Sequence, residues 1–391
     1  MSSFVSRVRA EFPHLLKLAG PVVIAELGWM LMGVIDIVMV GKLGPEAIGA
    51  VAIGNMVFNC IGLLGLGVML GLDTLVAQSY GAGNNEDGAH SFRQSLWVGV
   101  MVCPVLLLVM ESLVPTMDWW GMDAGVAVLA KSFTGIVAWS VIPIVLYAAS
   151  RRYLQAMGIV RPVMIALVTA NLNQILFNWI LIEGNLGAPA LGVKGAAIAT
   201  VLSRFYMAAF LVLVISRKVI YFERPDWERI RQLFQLGIPA AGHIFLEVAV
   251  FGAVTALAAR FPPVVLAAHE IALNYAAFMV PLGISSAAAV RVGQSLGRKN
   301  LLEARFAGWT AILTGMTFMG LMGVLIYFFA PWIVRIYTPD AAVIQFGIPL
   351  LYWAAVFHLF DGIQVTSTGA LRGIGDTHSA FKANMVGHWM I

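Results

Sequence analysis

The sequence predicts an all-α polytopic membrane protein with two pseudo-symmetric six-helix lobes, the second incomplete, so that 10–11 spans are present. Three observations carry this prediction: an apolar composition, a series of long apolar runs, and a repeat that relates the two halves. Of the 391 residues, 60% are hydrophobic and 11% are charged. Soluble domains carry about 25% charged residues, so this chain could not cover a water-facing surface of its size.

Each apolar run is long enough for a membrane helix, which needs about 20 residues. The runs lie at 15–40, 48–80, 90–115, 127–157, 160–182, 190–216, 231–257, 264–294, 305–337 and 342–374, and an eleventh begins near 378. The sequence lacks the alternating segments of about 10 residues that form membrane β-barrels. We therefore expect helical spans and a lipid bilayer around them.

The basic residues predict the orientation of these spans. Eighteen of the 24 Lys and Arg residues fall on one side of the predicted membrane. The other side has Lys42, Lys131, Lys194, Arg260 and Arg335, and Arg204 lies inside a span. Because Lys and Arg concentrate in cytoplasmic loops, we expect a cytoplasmic N-terminus. This distribution also accounts for the net charge of +4 without a nucleic-acid partner.

The two halves of the chain share short motifs at a nearly constant offset. The clearest pairs are 18–21 (LAGP) with 236–239 (LGIP), and 78–81 (QSYG) with 294–297 (QSLG). Transporters often contain such repeats and bind their substrate between the two halves. A charged connection, which includes Arg217 and Lys218, separates the predicted lobes at residues 1–222 and 223–391.

The repeat also predicts that the second lobe is incomplete. Residue 391 corresponds to about residue 174, in the middle of span five. We therefore expect a fragment of a protein with six spans in each lobe. The alternative is a short variant whose helix faces would be left unpaired.

Ionisable side chains inside spans are the candidate functional residues, because a charge at the bilayer centre costs at least about 2.5–3.5 kcal/mol. Asp361 lies deep in span ten, and His358 and Gln364 share its helix face. Glu247 lies two turns past Pro239 in span seven. Two buried carboxylates in one lobe can take up a proton or hold a hard cation such as Na⁺. Structural pairing with arginine or backbone is the alternative.

The first lobe has its own carboxylate, Asp36, late in span one. In span five, Asn171, Gln174 and Asn178 are spaced to share one helix face. We predict that these amides line a polar cavity, with hydrogen bonding between helices as the alternative. Arg204 needs a carboxylate or carbonyl partner at its mid-span position, and we expect its role to be structural.

Catalytic signatures are missing from the sequence. Residues 269–270 (HE) begin like a zinc-binding motif, but Leu273 stands where the second histidine would be required. The sequence has no nucleophile elbow and no phosphate-binding loop. We therefore expect no enzyme activity, and no cofactor apart from a coupling ion.

Several motifs together resemble the multidrug and toxic compound extrusion (MATE) family. They are 33–41 (GVIDIVMVG), 72–83 (LDTLVAQSYGAG), 267–274 (AAHEIALN), 280–284 (VPLGI), 290–294 (VRVGQ) and 369–375 (GALRGIG). The resemblance implies a cavity between two lobes, and export of small organic, often cationic, compounds in exchange for Na⁺ or H⁺. It also implies a monomer in the bacterial inner membrane.

The resemblance assigns roles to the acidic residues as well. Glu247 and Asp361 match the acidic pair that binds the coupling cation in the NorM-like branch, and Asp36 matches the acid of span one. The chain departs from typical members at Glu270, where they carry glutamine. An alternative function is a flippase for lipid-linked saccharides on a related two-lobe fold. A flippase would need a more cationic cavity, and Arg204 is the only central basic residue that the sequence predicts.

Overall fold

The computed structural model describes residues 2–215, 219, 221, 223–258, 260–276 and 280–390, with the side chains of Ser2 and Ser3 left out. Arg217 and Lys218, which we assigned to the connection between the lobes, lie outside the described residues. The described chain is almost entirely helical, and its described residues contain no strand.

Eight helices form the first half of the chain. They are α1 (Ser2–Val40), α2 (Pro45–Val68), α3 (Gly71–Gly81), α4 (Asn85–Leu113), α5 (Ala124–Ala138), α6 (Val141–Ala156), α7 (Arg161–Glu183) and α8 (Val193–Val214). Their boundaries follow local signals. Asn84 accepts a hydrogen bond from the backbone of Asp87 at the start of α4, and Asp123 caps α5 in the same way.

The second half has helices α9 (Trp227–Ala258), α10 (Pro263–Ala276), α11 (Val280–Gly297), α12 (Leu301–Tyr337), α13 (Ala341–Ile374) and α14 (Thr377–Trp389). The same signals recur. Asn300 accepts from the backbone of Glu303 at the start of α12, and Asp340 and Asp376 cap α13 and α14. The repeat seen in the sequence therefore extends to helix capping, since Asn84 and Asn300 hold equivalent positions.

Nine described helical segments are long and apolar enough to cross a membrane, or ten when the bent pair α5 and α6 counts as one span. These segments agree with the ten full spans that we predicted. Their outward faces carry large apolar side chains such as Leu213, Leu108 and Trp353, which are more than two-thirds exposed. Exposed apolar surface of this extent suits lipid, so the protein is a multi-pass membrane protein.

Two predicted spans are each divided into two helices by a break that lies within the described residues. Span 48–80 is α2 followed by α3, with a tight turn in which the backbone N–H of Leu70 donates to Gly67. Span 127–157 is α5 followed by α6, which is bent by 45° at Trp139 and Ser140. Neither break contains proline, so the helical periodicity of the sequence does not reveal it.

The largest apolar core lies within the first half and also takes in the beginning of α9. Two glycines let α2 and α9 pack closely: a Cβ at Gly67 would lie 2.5 Å from the Cα of Ala241, and one at Gly237 would lie 2.2 Å from the carbonyl oxygen of Val68. The predicted lobe boundary at residues 222 and 223 falls between α8 and α9. Helix α9 thus connects the two halves both in sequence and in space.

Candidate functional site

The structure has a cavity of about 300 Å³ between the two halves of the chain. Helices α1, α2 and α6 line it from the first half, and α9, α11 and α13 line it from the second. Its wall is mainly apolar, with Trp29, Tyr147 and Phe251 among the aromatic residues. Its charged residues are Glu26, Arg151, Arg152, Glu247, Asp361 and Arg372.

Glu247 on α9 and Asp361 on α13 both line this cavity. The Asp361 residue is 8% exposed, and the Glu247 side chain is 25% exposed. Neither carboxylate forms an ion pair with Lys or Arg among the described residues. The nearest ion-pair partner found is His243 on α9, whose Nδ1 lies 3.9 Å from Glu247 Oε2. The arrangement leaves both carboxylates able to bind a proton or a cation.

His358 and Gln364 flank Asp361 on α13, as the spacing predicted, but the lining of this cavity does not include them. The His358 side chain is buried, and Gln364 is partly buried. Their predicted role as cavity residues is therefore not seen in this structure.

Asp36 lies in a different environment, enclosed by α1, α7 and α8. It is 2% exposed. Its Oδ1 accepts hydrogen bonds from Gln174 and, at 3.0 Å, from Asn178. Its Oδ2 accepts one from the Thr200 hydroxyl, also at 3.0 Å. This carboxylate is thus held by three side chains and does not line the cavity between the halves.

The amides of α7 bond helices together in this structure. Gln174 and Asn178 donate to Asp36, and Asn171 donates to the carbonyl oxygen of Gly28 at 2.9 Å. All three residues are buried. The prediction that they line a cavity does not describe this conformation, because their amide nitrogens donate to acceptors on α1. Hydrogen bonding between helices, our alternative interpretation, does describe it.

Arg204 on α8 is also buried against the first half. Its guanidinium lies over the ring of Phe58, 3.7 Å from the centroid, and donates to the hydroxyl of Ser140. It forms no ion pair among the described residues. The expected carboxylate or carbonyl partner is therefore replaced by a hydroxyl and an aromatic face, which attracts cations.

The sequence did not identify the arginines of the cavity. Arg151, Arg152 and Arg372 were assigned to the cytoplasmic side, yet all three line the cavity. The expectation that Arg204 would be the only central basic residue was therefore wrong. The long side chain of arginine lets a residue near a helix end reach into the space between helices. The position of Asp73 could have indicated these arginines, because a carboxylate in an apolar run needs a basic partner.

Each of these arginines is paired with a carboxylate. Arg151 donates to Glu26. Arg152 and Arg372 share one oxygen of Asp73: the Arg152 Nη1 lies 3.4 Å and the Arg372 Nε 3.0 Å from Asp73 Oδ2. The second oxygen, Asp73 Oδ1, is buried and has no hydrogen-bond partner among the described residues. We call Arg152, Arg372 and Asp73 the basic floor of the cavity.

Beyond the basic floor, α3 and α11 meet across the two halves, and we call this contact the seam. Gln78 on α3 donates to the carbonyl oxygen of Gly373 at 3.1 Å, and Gln294 on α11 donates to that of Ala156 at 2.8 Å. These are the two glutamines that the sequence repeat places in equivalent positions. The seam therefore has two reciprocal contacts between the halves.

Two glycines bring the backbones together at the seam. A Cβ at Gly81 would lie 2.0 Å from the carbonyl oxygen of Gln294, and a Cβ at Gly297 would lie 2.0 Å from that of Gln78. No side chain fits at either position without moving the backbone. The QSYG and QSLG motifs thus encode a close backbone contact.

Outside the spans, the segment before α9 is attached to the start of α4. His90 lies between two carboxylates, 2.9 Å from Glu223 Oε1 and 3.0 Å from Asp226 Oδ2. Arg93 donates to Glu223 as well. Burial alone would raise the pKa of the Glu223 carboxyl, but the hydrogen bonds from Arg93 and His90 outweigh burial and hold that pKa below its usual value.

A family model supports the identification of the fold. The model of the MatE family matches residues 21–180 and 239–391, which together form most of the chain. The chain belongs to the MatE family. The two matched segments fall on either side of the connection between α8 and α9, as the repeat in the sequence requires.

Curated relatives agree with membership of the MatE family. A probable multidrug resistance protein NorM from Mesorhizobium japonicum is 32% identical, over 97% of this chain and 85% of the relative. The multidrug resistance protein MdtK from Yersinia pseudotuberculosis is also 32% identical, over 97% of this chain and 86% of the relative. Both names describe multidrug resistance proteins.

The MatE fold is also found among solved structures. The eukaryotic MATE transporter AtDTX14 superposes with a TM-score of 0.87 at 23% identity, over 98% of this chain and 87% of that one. At this identity the likeness shows the fold alone. The predicted helical two-lobe membrane architecture is confirmed by the family and by this neighbour.

Proposed function

We propose that the chain exports small organic, often cationic, compounds in exchange for Na⁺ or H⁺. Multidrug efflux follows from the resistance proteins among its relatives within the MatE family. The observation that carries the antiport is the pair Glu247 and Asp361, which line the cavity and, within the described part of the chain, have no basic ion-pair partner other than His243. We further propose a monomer in the bacterial inner membrane with a cytoplasmic N-terminus.

The proposed cycle couples the ion to the two carboxylates. A cation or proton that binds Glu247 and Asp361 neutralises charge in the cavity wall, and the cationic substrate then loses its attraction for this site. Helices α9 and α13, which carry the two acids, rearrange as the substrate leaves. Coupling requires that the ion and the substrate prefer different states of the protein. The apolar and aromatic wall supports binding of flat organic cations.

Asp36 is the third proposed coupling residue. It lies outside the cavity and accepts three side-chain hydrogen bonds. Protonation of Asp36 would reduce the number of hydrogen bonds that its carboxyl group accepts. The attachment of α1 to α7 and α8 would then weaken. We propose that Asp36 responds to ion binding by this route. We still propose that five polar residues line the substrate cavity in another conformation of the protein: Asn171, Gln174, Asn178, Gln364 and His358.

The flippase alternative is not favoured. The relatives are resistance proteins. Although three arginines line the cavity, Glu26 and Asp73 form ion pairs with them. Pyrophosphate carries several negative charges, so a site for it would need more positive charge than these ion pairs leave.

The test is the double variant Glu247→Gln and Asp361→Asn, which keeps side-chain size and removes both charges. We expect the efflux of ethidium from cells to fall to the level of cells without the protein. Glu228→Gln is a matched control, because Glu228 is an exposed acid at the start of α9. Normal efflux by the double variant, at equal expression, would refute the assigned role of the acids.

The coupling ion can be identified in proteoliposomes. Substrate transport is measured under a Na⁺ gradient without a pH gradient, and under a pH gradient without Na⁺. We expect one gradient to drive transport in the wild type and neither to drive it in the double variant.

A further inference from the structure

The ion pairs within the basic floor leave one positive charge without a paired carboxylate. Arg151 is paired with Glu26, so Arg152 and Arg372 have the single carboxylate of Asp73 between them. Guanidinium groups stay protonated in proteins. One positive charge is therefore left over among the described residues of the floor, and an uncompensated charge away from water is costly. A bound anion would remove this cost.

The two guanidiniums also retain unused donors. Each guanidinium has five N–H groups. Arg152 uses Nη1 toward both Asp73 and the hydroxyl of Ser286, which lies 3.3 Å away. Arg372 contacts Asp73 through Nε. Ser285 and Ser286 add hydroxyl groups to the cavity lining next to these arginines. The floor thus combines charge with directed donors, as carboxylate binding requires.

The cavity is bipolar along α13. Asp361 and Arg372 lie on this one continuous helix and both line the cavity. Eleven residues separate them, which corresponds to about 16 Å along the helix axis. Cations are attracted to the end with Glu247 and Asp361, and anions are attracted to the end with Arg152 and Arg372. A ligand with both kinds of charge could interact with both ends.

We propose that Arg152, Arg372 and Ser286 form a subsite for an anionic group, namely the carboxylate of substrates that also carry a cationic group. The proposal rests on the export function proposed above and narrows it to include zwitterionic compounds. The carboxylate binds the two guanidiniums from the cavity side, opposite Asp73, and the cationic end is held toward the acidic wall. Cationic compounds that lack a carboxylate bind without using the subsite.

The test uses a rhodamine dye that carries a free carboxylate and the methyl ester of the same dye. The two share the aromatic cation and differ in the anionic group. Binding is followed by dye fluorescence with purified protein, and transport is followed in proteoliposomes. We expect the wild type to bind the acid at least about tenfold more tightly than the ester, which corresponds to about 1.4 kcal/mol. Weaker binding of the acid would overturn the proposal without any variant.

Variants of the arginines and of Asp73 should change the preference for the acid over the ester in opposite directions. Arg152→Gln and Arg372→Gln are expected to abolish the preference for the acid, because each should weaken binding of the acid far more than binding of the ester. Asp73→Asn removes the competing carboxylate at nearly constant shape, so it should increase the preference. General damage to the protein would lower binding of both dyes together. Arg231→Gln is the control, because Arg231 lies on α9 away from the cavity.

The outcomes separate the subsite from the export function. If the ester is transported and the preference for the acid is unchanged in both arginine variants, the subsite is wrong and the export function stands. If the wild type transports neither dye under either ion gradient, the export function is wrong.

Discussion

The two halves of the chain bury their carboxylates in opposite ways. Asp36 in the first half accepts hydrogen bonds from three side chains and does not line the cavity. Glu247 and Asp361 in the second half line the cavity and have no ion pair with Lys or Arg among the described residues. Hydrogen-bonded partners stabilise a buried charge, whereas an open carboxylate leaves room for a ligand. The same kind of side chain therefore supports packing in one half and, in our proposal, ion binding in the other.

The largest expected difference in stability comes from removing the acids. Asp36→Ala leaves Asn178 without its acceptor and removes one of two acceptors from Gln174 and from Thr200. We therefore expect a loss of about 3 kcal/mol or more in the free energy of unfolding. Asp361→Ala removes a cavity-facing charge without a partner and should cost less than about 1 kcal/mol. Unfolding in mixed micelles with increasing dodecyl sulfate measures both. Equal losses would remove the distinction between the two halves.

Two glutamines allow the same comparison, with smaller expected losses in the free energy of unfolding. Gln174 donates to both Asp36 and Thr200, and its replacement by Met should cost about 1–3 kcal/mol because buried polar partners lose a hydrogen bond. Gln364 on α13 has a buried Nε2 without a hydrogen-bond partner among the described residues. Gln364→Met should therefore be neutral or stabilising in the same unfolding assay. A larger cost at Gln364 than at Gln174 would contradict this assignment.

The smallest expected effect on stability comes from Glu223, a carboxylate that lies outside the spans. The pKa of Glu223 is held below its usual value by Arg93 and His90, against the effect of burial. A lowered pKa in the folded state gives stability that is present above the unfolded pKa and is lost as pH falls through the folded pKa. We expect a lower melting temperature in detergent below about pH 4. Glu223→Gln should reduce this acid sensitivity, whereas Glu228→Gln should leave it unchanged.

Much of the fold could be predicted from sequence, because the long apolar runs follow directly from the physics of the bilayer. The breaks at Leu70 and Ser140 could not, because tertiary packing determines them and neither contains proline. The repeat predicted equivalent positions for Gln78 and Gln294. It did not reveal that each glutamine bonds to the opposite half.

The candidate site was only partly predictable for a related reason. The cost of burial identified Glu247, Asp361 and Asp36 as special, but the sequence could not separate a hydrogen-bonded acid from an open one. That distinction depends on which helices face each other. The cavity arginines were missed because a residue at a helix end is normally assigned to water, while its side chain can extend toward the interior.

The reciprocal contacts of the seam have a consequence for kinetics. Gly81 packs on the backbone of Gln294, and Gly297 packs on the backbone of Gln78, so both contacts join the same two helices, α3 and α11. We expect the two to break in one cooperative event with a single barrier, without a half-open intermediate. The rate of opening would then depend equally on either glycine, although the two are 216 residues apart in sequence.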